Sequence, residues 1–550
     1  MASRQDPPPK FDAPTMADAE AALARHFGYA SFRPGQAEVI RAVLAGRDAL
    51  AVMPTGAGKS VCYQVPAALM CGLTIVVSPL ISLMGDQVSG LREAGIRGSY
   101  LNSSLTPRQQ AVVMARALDG WYDLMYVAPE RLADPAFRAF AAQARVPLLA
   151  VDEAHCVSQW GQDFRPAYTG IADFVASLPA RPPVVALTAT ATERVRRDVV
   201  SLIGLKDPQV TVTGFDRPNL SFASFELKPR ERTRWVCAYA AAHPDESGIV
   251  YATTRKRVDE LAQALRDAGV AAVSYHAGYE ADAREEAQRR FVMDDARVMV
   301  ATNAFGMGID KSNVRFVVNC GLPLSLEEYY QEAGRAGRDG EPAECYLLWS
   351  RGDIRTCRFL IDRDDLPEST PAAERQRLER SRRALLNHMV DYAQSATCLR
   401  RRILAYFGQD VSALPDNCGS CSVCTGATPE RYLAPARASH AFGHAAYDDE
   451  LDAAGGARPR SRRRATAREE ALDYVATDGD EELFQRLRAL RKRLAGEKGV
   501  PPYVIFSDAT LRAMVRRKPR DREALLQVPG VGVTKLERYG DAFLEEIARS

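Results

Sequence analysis

The chain has 550 residues, 46% of them apolar and 26% charged, a globular composition that excludes disordered, collagen-like and disulfide-scaffold classes. At about 150 residues per domain, this length predicts three or four domains. Its 72 Lys and Arg against 70 Asp and Glu leave a net charge of +2, which by itself points to no polyanionic partner.

Residues 1–15 carry a proline triplet and mixed charge without the apolar segment of a signal peptide, and are expected to be disordered. From residue 16, short apolar runs alternate with helix-compatible segments: Asp48–Met53, Leu73–Val77, Leu124–Val127, Val146–Val151 and Val184–Leu187. The pattern resumes after residue 214 with Gly248–Ala252, Ala271–Tyr275, Arg297–Ala301 and Arg315–Asn319. Near-continuous Val, Ile and Leu runs spaced by helices predict an α/β fold with two parallel-sheet domains, 16–213 and 214–352. In 353–427 the period changes, with Leu378, Leu385 and Tyr392 seven residues apart, which predicts a helical module. Residues 428–478, with an acidic piece and six arginines between 458 and 468, read as a flexible linker, and 479–550 as a small all-α domain. No apolar run approaches the roughly 18–20 residues that span a bilayer. The expectation is a cytoplasmic protein without membrane association, nucleoid-associated if bacterial.

Chemistry first appears after the run ending at Val52, in Met53-Pro-Thr-Gly-Ala-Gly-Lys-Ser60. Glycines at such a turn let backbone N–H groups of Thr55, Gly56, Ala57 and Gly58 close on phosphates, aided by the following helix N-terminus. Lys59 is predicted to reach the β- and γ-phosphates of ATP, and Ser60 its Mg²⁺. Met53 stands where the strict motif has its first glycine. Near Leu148-Leu-Ala-Val-Asp-Glu-Ala-His155 a buried strand delivers Asp152 for the metal and Glu153 for the attacking water.

Of eleven cysteines, only Cys398, Cys418, Cys421 and Cys424 cluster; the other seven read as buried thiols. Four thiolates can close a tetrahedral structural zinc site, with an iron–sulfur cluster as the competing ligand.

The motifs Leu187-Thr-Ala-Thr-Ala191 and Gln331-Glu-Ala-Gly-Arg-Ala-Gly-Arg338 resemble those of superfamily 2 helicases. That resemblance implies two RecA-like domains and catalytic roles for Gln331, Arg335 and Arg338, the arginines as fingers on the transferring phosphoryl. Phe27-Gly-Tyr-Ala-Ser-Phe-Arg-Pro-Gly-Gln36 and Cys156-Val-Ser-Gln-Trp-Gly-Gln-Asp-Phe-Arg-Pro-Ala-Tyr168 are similar to RecQ-family motifs, as is the cysteine cluster with its flanks. By that resemblance Arg33 and Gln36 hold adenine, while Trp160, Phe164, Arg165 and Tyr168 bind DNA. It also implies a zinc module and an ATP-dependent 3′–5′ helicase in repair and recombination. Its substrates would be single-stranded and tailed or forked duplex DNA, with single-strand-binding or repair proteins as partners and a monomeric state. A DNA translocase or annealing factor with little unwinding is the alternative activity.

Two positions depart from the family pattern: Gln162 replaces a usual His, and Gly85 a usual Lys in Ser78–Gln87. Only about 58 residues separate Cys424 from the last module, so the family's winged helix is expected to be absent. That last module resembles the HRDC domain through Leu526–Gly540, whose Pro529-Gly-Val-Gly532 turn is expected to offer amides to phosphate. Between Glu481 and Arg520 eleven Lys and Arg face four Asp and Glu, a surplus that favours nucleic acid.

Overall fold

A computed structural model describes residues 10–549 except 80, 161–162, 304, 306–310, 363–371 and 434–477. The first sheet comprises β1 Ala49–Val52, β2 Thr74–Val77, β3 Gly98–Leu101, β4 Leu124–Val127, β5 Leu149–Val151, β6 Val184–Thr188 and β7 Gln209–Val212. Its strands run parallel in the order β3-β4-β2-β5-β6-β1-β7. The second comprises β8 Leu220–Glu226, β9 Ser247–Ala252, β10 Ala272–Tyr275, β11 Val298–Ala301, β12 Val314–Cys320 and β13 Ala343–Trp349. These strands are also parallel, in the order β10-β11-β9-β12-β13-β8.

Strand side chains alternate between faces, and each face meets its own apolar cluster. Leu50, Val52, Ile75 and Val77 join one core, and Ala49, Ala51 and Val76 the other. Both faces are therefore covered, which is why the runs read as continuously apolar. β3, β7, β8 and β13 escape the sequence pattern because three are edge strands and all four carry polar or small residues. The buried carboxylate of Asp48 gathers the strand starts at the end of the sheet opposite the phosphate loop. It accepts from Val184 N at 2.9 Å, Lys206 N at 2.7 Å and Arg181 Nη2 at 2.6 Å.

Two expected boundaries move. Residues 10–15, expected to be disordered, are held: Phe11 N donates to Leu69 O at 2.8 Å and Lys10 pairs with Asp123 at 3.0 Å. Residues 428–433, assigned above to the linker, include a 3-10 turn whose Tyr432 packs 5.3 Å from the Trp235 ring. The expected absence of a winged helix falls on 434–477, outside the described residues.

Helices Arg351–Asp362, Ala372–Ala393 and Leu399–Tyr406 form the cysteine-bearing module, packed through Tyr392 on Tyr329 and Phe407 on Phe215. The last module has helices Asp478–Lys498, Pro502–Ile505, Asp508–Arg517, Arg522–Leu526 and Val533–Ala548 around a core of its own. Among the described residues no helix is long and apolar enough to cross a membrane.

Candidate active site

The loop after β1 turns through Gly56 at φ +83° and Gly58 at φ +78°, in the left-handed region that favours glycine. Added side chains would collide: a Cβ on Gly58 would lie 2.8 Å from Gln36 Nε2. Met53 takes the first motif position without harm. Its N–H continues the pairing to Thr188 O at 3.0 Å, and its side chain is buried. Lys59 Nζ folds back to Met53 O at 3.2 Å, over the cradle where phosphates would bind.

β5 ends beside this loop and presents Asp152, whose carboxyl burial pushes up to about 7, with Glu153 adding to the rise and Lys59 opposing it. A carboxyl so desolvated next to the cradle fits a Mg²⁺ held by Asp152 and Ser60; that ion would neutralise phosphate charge. Glu153 adopts φ +47°, a strained conformation for a non-glycine residue. Its Oε2 lies 3.4 Å from His155 Nδ1 and is buried without a hydrogen bond among the described residues. His155 Nδ1 in turn meets Thr188 Oγ1 at 2.9 Å at the end of β6.

The opposite wall comes from the second domain, through helix Leu326–Ala333 and the loop after it. Gln331 Nε2 donates to Thr190 Oγ1 at 3.0 Å, joining the two domains. Arg335 is 5% exposed, and its Nε and Nη1 make no hydrogen bond among the described residues. A cavity of about 470 Å³ collects Thr55, Gly56, Gly58, Lys59, Ser60, Asp152 and Glu153 from one side, and Gln331, Arg335 and Arg338 from the other. A buried guanidinium with free donors facing a phosphate cradle is suited to an anion.

Two expected roles look different here. Gln36 is 3% exposed, and its amide serves the phosphate loop, donating to Ala57 O at 3.1 Å and Gly58 O at 2.9 Å while accepting from Arg33 N. Arg33 Nη1 likewise donates to Gly56 O at 2.6 Å. Both residues line the cavity, with these polar groups bonded to the phosphate loop and to each other. In the aromatic loop, Tyr168 is completely buried and donates to Asp152 O at 2.9 Å. It packs as core behind the carboxylates, so the expected base contact is corrected to a support. Sequence spacing alone cannot say which ring of three faces inward.

Trp160 and Phe164 stay partly exposed. The Trp160 ring carries the Arg194 guanidinium 3.2 Å from its centroid. Arg165 pairs with Asp163 at 2.9 Å and donates to Pro79 O at 3.0 Å. Gln162 lies outside the described residues. Gly85 sits exposed in helix Ile81–Glu93, with open space around its Cβ direction.

The Sγ atoms of Cys398, Cys418, Cys421 and Cys424 all lie within 4.8 Å of one another. Burial raises the Cys418 thiol, but hydrogen bonds from the Ser420 hydroxyl and from backbone N–H groups bring it down to about 6. A thiolate held this way fits a metal, which would supply folding energy because four thiolates complete a tetrahedral shell.

The Pro529–Gly532 turn is committed to protein rather than phosphate: Gly530 N donates to Gly28 O at 3.2 Å. A Cβ on Gly28 would lie 2.5 Å from Val531 C, so this approach requires the glycine. Tyr539 and Arg538 reach Glu93 at 2.8 and 2.9 Å, and Lys492 reaches Asp295 at 3.3 Å. The last module thus touches both sheet domains and lends Tyr503 and Lys535 to the cavity. Nothing local in the sequence marks these contacts, which join residues hundreds of positions apart. His155 carries no separate sequence signal, and its link to Thr188 depends on β5 and β6 lying side by side.

Four sequence families match along the chain: DEAD/DEAH box helicase over 33–199, helicase conserved C-terminal domain over 231–340, RecQ zinc-binding over 351–425 and HRDC domain over 480–547. The chain is 40% identical to the ATP-dependent DNA helicase RecQ of Bacillus subtilis, over 96% of this chain and 98% of that one. It is 38% identical to the Haemophilus influenzae protein of the same name, over 94% of each. The RecQ-like DNA helicase BLM of Xenopus laevis is 38% identical over 70% of this chain and 28% of its own. Among solved structures, the helicase MrfA bound to DNA shares the fold at a TM-score of 0.52 and 19% identity, covering 68% of this chain and 56% of that one. The zinc-binding match also decides the cysteine cluster in favour of zinc over iron–sulfur. With the matched modules in this order and identity sustained along nearly its whole length, the chain belongs to the RecQ family of ATP-dependent DNA helicases.

Proposed function

We propose that the chain translocates 3′ to 5′ along single-stranded DNA and unwinds tailed or forked duplexes, with the residues named above in the following roles. The observation that carries this reading is the two-sided cavity, where Lys59, Asp152 and Glu153 face Arg335 across a domain boundary. The loop amides and Lys59 bind the triphosphate, and Glu153 orients and deprotonates the attacking water. Arg335 and Arg338 stabilise charge developing on the transferring phosphoryl. Gln331, bonded to Thr190, reports closure to the end of β6. The Trp160 loop begins three residues after Glu153, and Arg194 from helix Glu193–Ile203 covers its ring. A strand stacking on Trp160 would displace that arginine and so reach the hydrolytic residues from outside. Monomeric action in the cytoplasm, with single-strand-binding or repair proteins as partners, belongs to the same reading.

Glu153→Gln tests the assignment. It should retain ATP binding and lose on the order of 10²–10⁴-fold in turnover, the usual weight of a general base. Wild-type ATPase rates in that variant would overturn the role of Glu153.

A further inference from the structure

The connector between the sheet domains, Phe215-Asp-Arg-Pro-Asn219, buries an arginine among carbonyls instead of carboxylates. Arg217 is 9% exposed. It donates to Thr55 O on the phosphate loop and to Gly334 O, Ala336 O at 3.0 Å and Gly337 O at 2.8 Å on the loop of Arg335 and Arg338. Burial pushes its pKa down, Tyr330 and Cys345 oppose this, and Arg338 and Arg33 add to it. Asn219 holds the same loop, donating to Gly337 O at 2.9 Å and Glu341 O at 2.8 Å. Gly337, at φ +57°, leaves no room for a Cβ, which would sit 2.4 Å from Asn219 Nδ2. The connector is itself pinned, because Arg400 of the cysteine module donates to Asp216 at 2.6 Å and to Arg217 O at 2.8 Å.

We propose that Arg217 is a positioning residue for hydrolysis, setting Arg335 and Arg338 against the phosphates by clamping the loops of both domains at once. The inference rests on the finger roles given to those arginines above. One guanidinium spans Thr55 on one domain and Gly334–Gly337 on the other, so all four bonds exist only when the cleft is closed. Lysine cannot substitute, because one ammonium lacks the planar fork that serves both loops.

The test is a double-mutant cycle on the full chain, with Arg217→Ala, Arg335→Ala and the pair, read by DNA-stimulated ATPase and fluorescent-nucleotide binding. Arg217→Ala should lower kcat by about 10²-fold, as loss of a preorganised charge contact does, while changing KM and nucleotide affinity by less than about threefold. Added to Arg335→Ala, it should cost little more, because it acts through that residue. Multiplying losses, or a kcat within about threefold of wild type, would overturn the proposal. Wild-type turnover by Arg335→Ala alone would instead sink the finger assignment. Should Arg217→Ala fail to fold, Asn219→Ala, which removes two bonds to the same loop, carries the same cycle.

Discussion

The two C-terminal modules attach to the same motor by different physics. In the cysteine module, Cys398, Leu399, Ile403 and Phe407 belong to one contiguous apolar cluster with Val317 and Leu347 of the second sheet. The HRDC module closes a separate core around Leu487, Phe506, Met514 and Phe543. Its attachment runs through a backbone hydrogen bond at Gly28 and polar side chains on Glu93, Asp295 and Glu341. Apolar burial at about 25 cal/mol per Å² makes the first module one folding unit with its domain. A few polar contacts, each with at least one exposed partner and worth about 1 kcal/mol, leave the second able to detach. Charge illustrates the same division. Arg491, Lys492, Arg512 and Lys518, part of the basic surplus that suggested nucleic acid, are paired with Asp508, Asp295, Glu341 and Asp480.

The largest expected effect comes from removing metal. Structural zinc contributes on the order of 10 kcal/mol of folding free energy in small domains. Chelation, or Cys421→Ser, should lower the melting temperature of the cysteine module together with the second sheet domain, in a single calorimetric transition. Two separated transitions would break the view that they share one core.

Smaller and of opposite kind is Glu93→Ala, which removes the partner of both Tyr539 and Arg538. It should weaken HRDC attachment by about 1–3 kcal/mol, seen as a larger radius by small-angle scattering. Melting of the motor itself should not move.

Attachment should also follow pH through Lys535, which lines the cavity and whose pKa burial lowers to about 8, with Glu93 opposing. The attached form binds fewer protons than the detached one, whose lysine titrates near 10.4. Attachment therefore strengthens as pH rises from about 8 towards 10.4, and is weakest, without further change, below about 8. Scattering at pH 7.5 and 9.5 should show the more compact particle at the higher pH; the reverse order would contradict this.

Smallest is Gly85→Lys. Replacing an exposed helical glycine should stabilise by about 0.5–1 kcal/mol. If the position faces DNA, it should also steepen the salt dependence of binding by about one phosphate contact.

The chemistry of the motor was legible because it is written in short contiguous stretches. Thr55–Ser60, Asp152–Glu153 and Gln331–Arg338 each name their residue types locally, and the parallel strands that carry them are apolar enough to read. What could not be read depends on direction or distance. Tyr168 lies in the same loop as Trp160, yet burial beneath Asp152 decides its role. Gln36 shows its amide type but not that the phosphate loop occupies it. The strands β3, β7 and β8 lie at sheet edges and lose the continuous apolar signature. Gly28 meeting Gly530, and Arg217 spanning two loops, are long-range facts with no local pattern.

Unwinding of 3′-tailed, 5′-tailed and blunt duplexes by the full chain with ATP and Mg²⁺ tests the central claim most directly. Strand separation confined to the 3′-tailed substrate, and lost in Glu153→Gln, is the predicted result. ATP hydrolysis stimulated by DNA without separation of the 3′-tailed duplex, or equal separation of the 5′-tailed one, would contradict it.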